Sequence, residues 1–177
     1  MGNDVRFITR NFGKYDPMSI DSYLSIGGYA GLKRAMAMDG EDIASLIAEA
    51  KVKGRGGAAY DMGRKWSQSR AVKAPHKVVI CNADEGETCT FKDRELIKND
   101  PFNLIEAITI CGYTVNAQDG YIYLREEYRH LRPLLLNAIS RQRSITSWAT
   151  TSRTRASISI STCTPARARM SAAKARH

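Results

Sequence analysis

Lys77-Val78-Val79-Ile80-Cys81-Asn82-Ala83-Asp84-Glu85-Gly86-Glu87 holds an apolar run that stops abruptly at a polar, acid-rich one. The β-branched run Val78, Val79 and Ile80 predicts a buried strand over 77–81, and the sudden polarity ends it. Working outward, Leu104, Ile105, Ile108 and Cys111 share one face of a helix expected over 103–115. A short strand is expected at 121–124 and an amphipathic helix at 128–139. Strand, helix, strand, helix predicts an α/β layer with parallel pairing. Upstream, three helical stretches are expected: 19–26, stopped by Gly27-Gly28; 29–38; and one opened by Asp39-Gly40-Glu41-Asp42 with the stripe Ile43, Leu46, Ile47 and Ala50. The fold class is α/β, with a helical lead-in (1–53), a Rossmann-like α/β layer (54–139) and a basic tail (140–177) expected to be disordered.

Length and charge bound the function. The 177 residues suit one domain, and 43% hydrophobic content suffices for one core. No run approaches the ~18 apolar residues of a membrane span, and Met1-Gly2-Asn3-Asp4-Val5-Arg6 has no secretory apolar stretch. A cytoplasmic protein without direct membrane insertion is expected. The net charge of +9 suggests nucleic acid, but the segment from Ser140 carries seven Arg, one Lys and no acid. The body before it is almost neutral, so no nucleic-acid partner is expected. A module that binds nucleic acid through the basic tail is one alternative function, and it implies steeply salt-dependent binding. Cys81, Cys89, Cys111 and Cys163 form no C-x-x-C pair and no spacing suited to zinc or iron–sulfur ligation, so no metal site is expected.

Two stretches carry the candidate chemistry. Gly54-Arg55-Gly56-Gly57-Ala58-Ala59-Tyr60-Asp61-Met62-Gly63 breaks every periodicity and formally contains G-x-G-x-x-A. It follows an expected helix rather than a strand, which argues against a Rossmann turn. Its small residues still permit close backbone approach to something flat or anionic, with exposed N–H groups able to cradle a phosphate. The second stretch, Asn82 to Arg94, begins where the strand ends, the place where ligands gather in α/β sheets. Its three carboxylates within four residues repel one another unless a ligand, a metal or nearby cations such as Lys92 and Arg94 engage them.

Taken together, Gly54-Arg55-Gly56-Gly57-Ala58-Ala59-Tyr60, Gly63-Arg64-Lys65-Trp66, Asn82-Ala83-Asp84-Glu85-Gly86-Glu87 and Thr90-Phe91-Lys92-Asp93-Arg94 closely resemble the NADH-binding flavoprotein subunit of respiratory complex I. The same module occurs in diaphorase subunits of NAD-linked hydrogenases and formate dehydrogenases. Arg10 to Pro17, Gly27-Gly28-Tyr29, Asn99-Asp100-Pro101 and Gly120 to Tyr128 look like the same family, so the resemblance runs from about Arg6 to about Ile139. It implies hydride transfer from NADH to FMN and release of single electrons to iron–sulfur clusters toward quinone, with no protein nucleophile required. It implies FMN and NAD as cofactors, a 4Fe-4S cluster whose ligands are absent here, and other subunits of a redox complex as partners. Attachment to the cytoplasmic face of the inner membrane would come through those partners. Carried over, Gly54, Gly56, Gly57, Ala58 and Gly63 would give close approach to the nucleotide, and Lys65 would favour reduced flavin. Asn82, Asp84 and Glu85 would hydrogen-bond the flavin, while Tyr60 would stack on the nicotinamide nucleotide and Glu87 touch its ribose. Gln68 stands where the family has Phe, and Thr88 where it has Pro. A diaphorase subunit and a non-catalytic assembly subunit are the other readings of this resemblance.

The tail departs from the family. Regrouped at codon level, 155–174 permits a string containing Gly-Ala-Gly and Tyr-x-Cys-Gly-Glu, which looks like the family's next motif. A frameshift between about Ala138 and Ser147 is therefore expected, checked by resequencing, and with it weak or absent FMN binding by the isolated chain.

Overall fold

A computed structural model describes residues 6–146 and 157–162. Three helices lead in: α1 (Ile20–Ser25), α2 (Ala30–Met36) and α3 (Gly40–Glu49). After the glycine-rich loop come α4 (Met62–Ala71), β1 (Val78–Ala83), α5 (Lys92–Asn99), α6 (Pro101–Val115) and β2 (Asp119–Leu124). A 3₁₀ helix (Glu126–Leu131) then runs into α7 (Arg132–Thr146), and β3 (Ser157–Thr162) follows. The strands form one parallel sheet ordered β1-β2-β3, with Cys81 opposite Ile122 and Ile122 opposite Ile160.

Strand alternation decides which face is buried. In β2, Gly120, Ile122 and Leu124 are buried, and in β1 the matching face carries Val79, Cys81 and Ala83. That face packs on α6 and α7 through Phe102, Ile105, Ile108, Leu135 and Ala138. The other face, bearing Val78, Ile80 and Asn82, is exposed.

The lead-in is tied to α6 by buried carboxylates. Glu106 accepts hydrogen bonds from the Tyr23 hydroxyl (2.7 Å), the Tyr29 amide (3.0 Å) and the Leu32 amide (2.8 Å). Asp100 accepts from the Tyr15 hydroxyl (2.9 Å) and the Asn11 amide (3.0 Å). Tyr15, Tyr23 and Phe102 pack as a ring cluster over the same helix.

Three sequence expectations need correction. Helices α4 and α5 form where no helix is expected; each has an apolar face too thin for a periodicity test, and α4 starts from a local cap, Asp61 accepting from the Arg64 amide at 2.7 Å. The helix expected over 128–139 begins as a 3₁₀ turn and continues to Thr146. Disorder from Ser140 onward fails in two places: α7 extends through 140–146, where Gln142 is buried against Thr109, and 157–162 forms β3. The missed signal is Ser157-Ile158-Ser159-Ile160-Ser161, a period-two pattern of β-branched residues that pairs with the open edge of β2; Ser159 is exposed and Ile160 packs toward the core. The rest of the tail, 147–156 and 163–177, lies outside the described residues.

Candidate functional site

The positions of α4, β1 and α6 fix where the two candidate stretches lie. The Lys77 ammonium, just before β1, donates to the carbonyls of Ser69 (3.0 Å), Arg70 (2.8 Å) and Val115 (3.3 Å). Arg70 also donates to the Thr114 carbonyl at 2.9 Å. The C-terminal ends of α4 and α6 thus meet at the start of β1. The glycine-rich loop precedes α4 and the acidic run leaves β1, each at the other end of its element.

The glycine-rich loop is closed at its neck. The Gly54 amide donates to the Tyr60 carbonyl (2.8 Å), Met62 donates to Val52 (2.9 Å), and Lys53 bridges Asp61. Beyond the neck, the amides of Arg55 to Ala59 donate to no backbone acceptor among the described residues. The backbone is left-handed at Gly57 (φ 101°) and Ala59 (φ 49°) but not at Ala58 between them. A β-carbon built on Gly56 or Gly57 meets nothing within 4 Å, so the loop is open to a ligand there. The free donors and clear space fit a phosphate or the edge of a planar nucleotide.

Other predicted residues divide by environment. Tyr60, 44% exposed, donates its hydroxyl to Gln68 Oε1 at 2.9 Å, so the residue that departs from the family pattern holds the ring along α4. Lys65 is exposed on α4, and its charge reaches Cys111 on α6. Burial pushes the Cys111 thiol up to about 11 against that charge, and burial and Asp93 push Cys81 to about 11 as well. Gly63 is buried away from the loop surface: a β-carbon there would lie 2.4 Å from the Ala48 nitrogen, so it serves the contact between α3 and α4.

In the acidic run, Asn82 Oδ1 accepts from the Asp84 amide at 3.1 Å, turning the chain as it leaves β1. Asp84 is half-buried, Glu87 is exposed, and neither carboxylate accepts a hydrogen bond among the described residues. Glu85 differs. Its Oε1 accepts from the Asp93 amide (2.9 Å), and its Oε2 accepts from the Arg94 amide (3.3 Å) and the Tyr128 hydroxyl (2.8 Å). Burial alone would raise the Glu85 carboxyl, but these donors, with Lys92 at 3.9 Å, hold it below the usual carboxylate range. Glu85 therefore caps the first turn of α5. The sequence also missed Arg125, whose guanidinium donates to the Glu85 carbonyl and to Glu127 Oε1 (2.8 Å). Among the described residues, no group of three His, Cys, Asp or Glu could hold a metal ion.

Residues 47–165 match the Nuo51 FMN-binding domain. The chain belongs to that family. The match extends past Ile139, where the motifs of the resemblance stop. The chain is 46% identical over 110 residues to an NADH-quinone oxidoreductase component of Aquifex aeolicus, covering 62% of this chain and 26% of that one. It is 40% identical over 124 residues to NADP-reducing hydrogenase subunit HndC of Solidesulfovibrio fructosivorans, covering 70% and 25%. A solved NAD+-reducing [NiFe]-hydrogenase in the H2-reduced state has a similar structure, with a TM-score of 0.65 and 33% identity over 71% of this chain and 22% of that one. The chain thus spans about a quarter of the length of the curated relatives it matches. No described helix is long and apolar enough to cross a membrane.

Proposed function

We propose that this Nuo51-family chain carries part of the FMN and NADH site of an NADH dehydrogenase subunit, and that the relatives' additional length completes it. The carrying observation is the glycine loop, whose amides from Arg55 to Ala59 have no backbone acceptor among the described residues and whose open side at Gly56 and Gly57 is clear. The amides of Gly56, Gly57 and Ala58 would hold the anionic or edge groups of the nucleotide, with Gly54 closing the loop's neck. Lys65 would supply positive charge on α4, while Asn82 and Asp84 would accept or donate at the flavin. Tyr60, steadied by Gln68, would offer its ring to the nicotinamide nucleotide, and Glu87 would meet its ribose. Gly63 and Glu85 would support these groups from behind. Bound FMN would supply the redox chemistry, taking a hydride from NADH and passing electrons singly toward iron–sulfur clusters and quinone.

The parent would work as one subunit of a multi-subunit complex, in the cytoplasm or on the cytoplasmic face of a membrane through its partners. A diaphorase role in an NAD-linked hydrogenase is a second reading, compatible with the 40% identity to the hydrogenase subunit. With one wall of the site present, the isolated chain should bind FMN weakly but saturably. Titration should quench FMN fluorescence, and Gly56→Val should abolish the quenching without unfolding the chain. No saturable change with the folded wild-type chain would overturn the proposal.

A further inference from the structure

The acidic run has a mechanical problem of its own: three carboxylates in four residues, and a backbone that turns left-handed at Glu85 (φ 32°), where a non-glycine residue persists only if its surroundings hold it. The holding groups come from the segment that follows β2. Tyr128 donates its hydroxyl to the Glu85 carboxylate (2.8 Å). Arg125 takes the Glu85 carbonyl with one guanidinium nitrogen and Glu127 with the other (2.8 Å), while its plane lies 6.0 Å from the centre of the Tyr128 ring. The Arg125 amide also donates to the Ala83 carbonyl at 3.1 Å, so the segment after β2 grips the chain on both sides of Asp84. Glu85 is 8% exposed and already accepts three hydrogen bonds, whereas Asp84 accepts none among the described residues.

From this geometry we infer that Arg125 and Tyr128 are positioning residues for the nucleotide site, fixing the Asn82–Glu87 loop through Glu85 so that Asp84, and not Glu85, is the carboxylate left for the ligand. The inference rests on the FMN reading of this strand end. Arginine suits the role because a planar fork can serve a carbonyl and a carboxylate at once, which a lysine ammonium on a flexible stem does poorly. Tyr128 suits it because the hydroxyl reaches Glu85 while the ring stays in the core cluster.

The test uses the 177-residue chain and three variants: Tyr128→Phe, Arg125→Lys and Arg125→Gln. Amide hydrogen exchange mapped to peptides is one measurement. FMN titration, with the visible circular dichroism of the flavin, is the other. Tyr128→Phe and Arg125→Gln should speed exchange of the 84–94 amides by about tenfold, the factor set by one lost hydrogen bond to a charged group, while α6 exchanges as in the wild type. FMN affinity should fall by a similar factor and the flavin dichroism should change shape, with Arg125→Lys recovering only part of both. Unchanged exchange at 84–94, or acceleration spread equally through β1 and α6, would overturn the inference. So would faster loop exchange with FMN affinity and dichroism unaltered. If the wild-type chain binds no FMN at all, the FMN reading and the ligand half of the inference both fall. The exchange measurement still decides by itself whether Arg125 and Tyr128 hold the loop.

Discussion

A β-carbon at Gly63 would press on the Ala48 backbone at 2.4–2.6 Å, and backbone cannot swing aside as a flexible side chain can. Gly63→Ala should therefore destabilise the chain by about 1–3 kcal/mol, the usual range for overpacking, measured as a lower urea midpoint. Gly56 stands in open space and outside the left-handed region, so its substitution should act on ligand binding and hardly on stability. Glu85 gives a prediction with a definite sign. Its carboxyl sits below the usual range in the folded chain, so its contribution is fully present above the unfolded carboxylate pKa of about 4.3 and is lost as pH falls through the folded value. The stability difference between wild type and Glu85→Gln should thus be constant from about pH 6 to 8 and shrink below about pH 4. A difference that grows in acid would contradict the capping role.

Between elements, the joint that matters most is Glu106 on α6. Its carboxylate is the shared acceptor for a buried hydroxyl and two amides around the start of α2. Glu106→Ala would orphan all three donors, and each buried orphan costs about 1–3 kcal/mol. We expect a loss of at least about 3 kcal/mol in denaturant unfolding, with faster amide exchange concentrated in α1 and α2 rather than in the sheet. Tyr15, Tyr23 and Tyr29, in the same cluster, have their phenols pushed upward by burial first and by neighbouring carboxylates second. A phenol held protonated by the fold stabilises it below its unfolded pKa of about 10 and loses that contribution as pH rises further. The lead-in should accordingly come loose in alkali.

For the whole molecule, the exposed sheet face is the conspicuous liability. Purely parallel sheets are almost always covered on both faces, yet here Ile80 is 64% exposed and Val78 43% exposed. The isolated chain should self-associate with increasing concentration, and Ile80→Thr should reduce light scattering while leaving the helical circular dichroism unchanged. Equal scattering from the two chains would show that this face is not the sticky one.

Parallel β1 and β2 and the long α6 were legible because each rests on local information: β-branched runs and helical spacing. Helices α4 and α5 were not, since α4 depends on Asp61 as a cap and α5 on a carboxylate seven residues before it, and neither has a strong apolar stripe. Nor was β3, whose alternating isoleucines become a strand only beside the free edge of β2. The sequence by itself determined the chemistry available at the site: open backbone amides, three carboxylates, a lysine and an aromatic ring. Only the tertiary structure decided their division of labour. Which carboxylate is consumed inside the fold, and which glycine is needed for packing, depends on contacts such as Glu85 with Tyr128 and Gly63 with Ala48, between residues too far apart in the chain for any local pattern to register.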